Sequence, residues 1–222
     1  MDKKNIRVFF EKKDRAIYIS HLDLLRTMQR ALKRSGLPVW YSEGFNPRIY
    51  LNFPLALSLG VEGEREPMDM AVVEDVSLSE IAEKLNGACP DGIRIISAAY
   101  PVHPNKDIGF ADYKAEFSGD SGILRDALEG FCGQESITVM KHSKKKGMIE
   151  MDIKPYINIL NVSEEDKGIS AEYRLPAGNE LNINSAVFTD AFLKYCVEKE
   201  INAELRCAKR INILCADGAD FA

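Results

Sequence analysis

Two side chains able to move protons, His21 and Asp23, stand two positions apart in the segment HLDLLR. A His and an Asp so close suggest general acid–base work or part of a metal site. Helical geometry argues against joint action, because residues i and i+2 diverge by about 200° around a helix. No third or fourth ligand stands nearby in the sequence. Asp23 fits better as a first-turn partner of Ser20, which is a good N-cap. His21 then falls on the apolar side of the helix as a neutral core-edge residue, where the N-terminal macrodipole disfavours its protonated form. His21 is the single candidate for catalysis.

The next constellation is cationic. Arg26, Arg30 and Lys33 fall on one helical face, with Arg34 beside them. Such a row can follow a phosphate backbone, or it can be a solvated helix exterior. Downstream, the segment SEGFNPR at 42–48 carries more than a connector needs. Gly44 and Asn46-Pro47 impose a turn. Arg48 offers a forked donor to a carboxylate or phosphate, unless Glu43 pairs with it and stiffens the loop. Phe45 supplies an aromatic anchor. The candidate binding residues are therefore Asp23, Arg26, Arg30, Lys33, Ser42, Glu43, Gly44, Phe45, Asn46 and Arg48. Phe9, Tyr18, Trp40 and Tyr41 are possible stacking platforms, some of which must belong to the core. KHSKKKG at 141–147 reads as a solvated basic hairpin tip.

Other chemistry lacks its sequence signature. There is no GxxxxGK[ST], no GxGxxG after a strand, no GxSxG and no HExxH. The five cysteines are odd in number and widely spaced, without a CxxC or a CxxxCxxC. They read as reduced, mostly buried thiols, so neither a metal site nor a cofactor is expected from this chain.

These residues need elements to hold them. An alternating apolar run at 5–12 is a strand. It is followed, through KKD and AIYI, by a helix over 20–36 capped by Ser20. A short strand at 38–41 precedes the 42–48 loop, and an apolar run from 49 to 61 is broken by Pro54 and Gly60. A strand at 67–74, a helix at 77–89 with Ser77 as its cap, and a strand at 92–101 complete a β-α-β-β-α-β order. Prolines, Asn and Gly at 101–109 mark a linker. The order then recurs, with helices at 120–132 and 184–200 and a terminal strand over 201–216. The expected fold is α+β, with two tandem ferredoxin-like, split β-α-β domains built on antiparallel sheets. The domains are expected at 1–104, holding the basic helix and the SEGFNPR loop, and at 105–222.

The 222 residues carry a net charge of -5, which argues against a general nucleic-acid binder. The charge is uneven: residues 1–60 hold 11 Lys and Arg against 5 Asp and Glu. No apolar run approaches the roughly 18 residues of a membrane span, and the N-terminus has no signal-peptide pattern. A cytoplasmic protein with no membrane partner is expected.

ISHLDLLRTMQRALKRSGLP and YSEGFNPRIYLNFPLALSLGVEGEREPMDM resemble the bacterial radical-SAM-linked protein family, a domain of unknown function. The likeness is strongest over residues 5–75. It implies a partner that is a radical SAM protein, fused or encoded alongside, and genomic neighbours that include ribonuclease G-type and ribosomal proteins. Without cluster-binding cysteines, this chain looks like the stand-alone form. The resemblance thus implies an accessory binding subunit working with a radical SAM protein in modification of tRNA or rRNA, or in ribosome-related processing. Two other readings remain open. One is a metal-free RNA endonuclease using His21 with Arg48 or Lys33. The other is a purely structural subunit that docks through Phe45.

Overall fold

A computed structural model of the chain describes residues 3–143, 147–178 and 181–222. It is a mixed α+β protein with four helices among these residues, and the strand pairings whose register is defined are all antiparallel. The chain forms two compact units. The first comprises Met1–Gly109 with Arg210–Ala222, and the second comprises Phe110–Lys209.

In the first unit, strand β1 (Lys4–Lys12) is followed by a 3-10 turn at Asp14–Tyr18 and helix α1 (His21–Arg34). Strands β2 (Leu51–Asn52) and β3 (Glu62–Val72), helix α2 (Leu78–Asn86) and strand β4 (Ile93–Ala99) complete it. The strand order is β4-β1-β3, with β2 pairing β3 on its other side. Ile6, Val8 and Phe10 of β1 are buried with Leu24, Met28 and Leu32 of α1 and with Ile81 and Leu85 of α2. Burial of each large side chain there contributes about 1.5–3 kcal/mol. On the other face of β1, Phe9 and the charged Arg7 are buried as well. Arg7 lies opposite Asp69 in the β1–β3 register and donates to both of its carboxylate oxygens, at 2.7 and 3.0 Å. Its remaining donors reach the carbonyls of His103 (3.0 Å) and Ala222 (2.9 Å), and its guanidinium lies 4.1 Å from the Phe221 ring.

The second unit opens with β5 (Ile108–Ser118) and α3 (Ser121–Cys132), whose cap Asp120 accepts from the Ile123 N–H. A separate hairpin follows, β6 (Thr138–Ser143) and β7 (Gly147–Asp152); the tip of the basic KHSKKKG segment, 144–146, lies outside the described residues. Then come β8 (Asn158–Glu165), β9 (Gly168–Pro176), α4 (Ser185–Glu198) and β10 (Glu204–Cys215). The order runs β10-β5-β9-β8, with Ser118 donating to the Glu204 carbonyl where the end of β5 meets the start of β10. Phe117, Phe131, Phe188 and Phe192 pack their rings 4.9–6.0 Å apart in its core.

Three expectations need correction. Residues 38–41 are not a strand; only the isolated bridges Val39–Val72 and Tyr41–Ile49 form there. The strand expected at 67–74 begins five residues earlier, at Glu62, so it takes in the polar stretch EGERE. The last thirteen residues, expected in the second domain, group with the first unit. Among its ties to that unit, Arg210 is 2% exposed and donates to both carboxylate oxygens of buried Glu66 and to the carbonyls of Leu55 (2.9 Å) and Ala56 (3.2 Å).

Candidate functional site

The site is built from α1 and the segment that returns toward it. Ser20 caps α1 by accepting from the Asp23 N–H at 3.2 Å, and its hydroxyl donates to the Asp23 carboxylate at 2.8 Å. Such a cap is worth about 1 kcal/mol. Asp23 also accepts from Arg26 at 3.0 Å. The Ser20 hydroxyl first, and Arg26 second, hold the Asp23 carboxyl below its ordinary value, so it stays ionised. With Leu24, Met28, Ala31 and Leu32 turned inward, the helical period sends Arg26, Arg30 and Lys33 out to solvent. Arg34 turns away and donates to the Ala88 carbonyl.

Residues 42–48 form a tip closed by reciprocal bonds. The Ser42 N–H donates to the Arg48 carbonyl (2.8 Å), and the Arg48 N–H donates to the Ser42 hydroxyl (3.1 Å). The Tyr41–Ile49 bridge seals its base. Gly44 takes φ +122°, a conformation that side chains rarely adopt, which is why the turn needs a glycine there. Glu43, Gly44, Phe45 and Asn46 project into solvent, and Phe45 is fully exposed. Among the described residues no ion pair joins Glu43 to Arg48, and Arg48 has no carboxylate within 4.0 Å.

The helix face and the base of the tip meet in an open groove of about 480 Å³. Arg26, Arg30 and Lys33 line it from α1, with Arg48, Pro47 and Tyr41 opposite. Its apolar lining includes Leu22, Leu25 and Ile49. Arg26 is engaged by Asp23, whereas Arg30, Lys33 and Arg48 have no carboxylate partner among the described residues. Arg30, Lys33 and Arg48, none of them in an ion pair among the described residues, thus stand beside apolar side chains and one tyrosine, an arrangement whose charge favours anions.

The structure does not bring every sequence candidate to this groove. Asp23 acts through Arg26. Ser42 shapes the tip, and Glu43, Gly44, Phe45 and Asn46 lie beyond the groove at the exposed end. His21 is exposed instead of forming the core edge; as the first residue of α1 it sits edge-on to Phe53 at 5.5 Å. Among the proposed platforms, Phe9 is only 2% exposed beneath the Arg65 guanidinium, and half-buried Trp40 faces the Lys3 ammonium. Tyr18 and Tyr41 remain open. Leu22, Leu25, Gln29 and Ile49 were not singled out as site residues from sequence. Gln29 could have been, since it lies three and four residues from Arg26 and Lys33 on the same face.

Two larger hollows in the second unit have mixed character. One of about 630 Å³ lies beside α3 and β8, where Arg125 is already paired to Glu164 at 3.0 Å. The other, about 750 Å³, is lined by Glu150, Asp190 and Glu198 against a single Lys194. Among the described residues, no group of three or more His, Cys, Asp or Glu gathers as a metal site. No helix among them is long and apolar enough to cross a membrane.

Fold and groove together define an α+β protein with an open cationic groove on its first unit. The chain belongs to the family described as an uncharacterized protein conserved in bacteria (DUF2344), whose model matches residues 5–186. A comparison with curated proteins finds no match. Among solved structures, an unknown protein from Galdieria sulphuraria aligns over 92% of this chain and 98% of its own, at 13% identity and a TM-score of 0.29. A putative glycine cleavage system transcriptional repressor aligns over 96% and 98%, at 12% identity and a TM-score of 0.24. At these scores neither supports an argument about fold or function.

Proposed function

We propose that this protein is an accessory, RNA-binding subunit that works beside a radical SAM protein in RNA modification or ribosome-related processing. The observation that carries the RNA part is the convergence of Arg30, Lys33 and Arg48, none with a carboxylate partner among the described residues, on one groove with Tyr41. The partner follows from the resemblance of the SHLDLLR and SEGFNPR segments to the radical-SAM-linked family. We read each unit as a ferredoxin-like, split β-α-β module. Strand orders β4-β1-β3-β2 and β10-β5-β9-β8, each with two helices, support that reading. The groove is open and His21 stands outside its lining, which favours binding over catalysis.

The test is a fluorescence-anisotropy titration of the purified chain with a labelled, tRNA-sized structured RNA at about 50 mM salt. Saturable binding is expected, weakened roughly tenfold by Arg30→Ala with Arg48→Ala. Co-purification with the radical SAM protein is expected to survive that double substitution. Absence of saturable binding at low salt refutes the RNA role. Absence of co-purification refutes the accessory role.

A further inference from the structure

We infer that the groove takes a short run of unpaired nucleotides, with a base stacked on Tyr41 and phosphates at Arg30, Lys33 and Arg48. This deepens the RNA-binding reading and rests on it. Duplex RNA is gripped through its backbone and 2′-hydroxyls by surfaces that follow its grooves. The groove here differs in kind. Its cations are few and are interleaved with apolar walls from Leu22, Leu25 and Pro47. Tyr41 is 42% exposed and lines the groove. Its backbone is fixed by the bridge to Ile49, two residues after the Val39–Val72 bridge and next to the tip that sets Arg48. Apolar and aromatic surface beside cations is what splayed bases and their phosphates require; a paired base has no free face to offer Tyr41.

The cations also limit the length. Arg30 and Lys33 lie one helical turn apart, a rise of about 4.5 Å, and Arg48 faces them from the opposite wall. Three cations meet at most three phosphates, so the bound run is about three nucleotides long. Asp23 keeps Arg26 engaged and leaves the tally at three.

The test compares a labelled ten-nucleotide RNA of mixed sequence, free and annealed to its complement, with inorganic polyphosphate as competitor. The full chain is used. Circular dichroism checks that every variant remains folded, as expected for exposed positions. The free strand is expected to bind at least tenfold more tightly than the duplex. Its affinity is expected to fall with salt at a log–log slope of about -2, reduced to about -0.7 by Arg30→Ala with Lys33→Ala. Tyr41→Ala is expected to weaken it about 5- to 100-fold, and Tyr41→Phe by less than about twofold. Equal binding of strand and duplex, or a silent Tyr41→Ala, overturns the inference; if the charge substitutions still weaken binding, the RNA-binding reading survives. Polyphosphate that binds as tightly as the strand also overturns it. Strand binding indifferent to Arg30, Lys33 and Arg48 overturns the groove as the site, and absence of binding by either RNA overturns both readings.

Discussion

Replacing Asp69 by Asn probes the most consequential polar contact in the first unit. Arg7 is 1% exposed, and a guanidinium stays charged at any accessible pH. Asp69→Asn removes its counter-charge and one of two acceptor oxygens, leaving the carbonyls of His103 and Ala222, the Asn105 Oδ1 and the Phe221 ring. Stripping one partner from a buried pair costs about 3–5 kcal/mol. The retained acceptors put this variant near the lower end, about 3 kcal/mol. For a chain of this size that corresponds to a fall in Tm of roughly 6–12 °C. Trp40 is the only tryptophan and its backbone N–H donates to the Ala71 carbonyl on β3, so its fluorescence in a urea titration reports on this unit. Glu80→Ala, which breaks an exposed pair with Lys84, serves as control and is expected to shift stability by less than about 0.5 kcal/mol. Arg7→Met with Asp69→Leu is expected to cost less than Asp69→Asn alone, because no buried charge is stranded. An Asp69→Asn variant within about 0.5 kcal/mol of the parent would refute the claim that this pair is a closed, desolvated contact.

Two further outcomes follow from single positions. Gly168, at φ +146°, begins β9, and a Cβ there would lie 1.8 Å from the Phe117 carbonyl oxygen. Gly168→Ala is expected to destabilise the protein by more than about 2 kcal/mol, seen as a lowered urea midpoint in circular dichroism; a midpoint equal to the parent's would refute the clash. Glu11 is held below its ordinary value of 4.5, chiefly by its hydrogen bond from Arg94 and then by Lys13. Its contribution is therefore complete above pH about 4.5 and is lost as pH falls through the lower folded value. An NMR titration of the Glu11 carboxyl should find its midpoint below 4.5, and Arg94→Ala should raise it; a midpoint unmoved by Arg94→Ala would contradict the assignment.

Local features were legible in the sequence and distant ones were not. The caps Ser20 and Ser77 each lie where an apolar period begins, and the structure starts α1 and α2 at the residue after each. The cationic row of α1 was readable for the same reason: a helix fixes its own faces. The groove's opposite wall was only half legible, because a turn signal locates Pro47 and Arg48 along the chain without saying which helix face they approach. The early start of β3 was hidden by Glu64, Arg65 and Glu66, which read as a polar loop. Glu66 is tolerated inside because Arg210 neutralises it, 144 residues along the chain. Arg7 is tolerated likewise, and its partner Asp69 is 62 residues away. Burial of a charge is decided by a partner whose position no local pattern records.

The pairing of Arg210 with Glu66 also sets an order of events during synthesis. In chain terms the second unit is an insertion, and the strand residues that complete the first unit are made after it. With elongation at about 5–20 residues per second, Glu66 waits on the order of ten seconds before Arg210 is made. Throughout that interval Glu66 lacks the Arg210 guanidinium and has only Lys12 beside it, and Arg7 lacks the Phe221 ring. A nascent chain halted within residues 110–209 therefore presents an unfinished first unit, and this is the stage at which a holding chaperone or a protease has most to grasp.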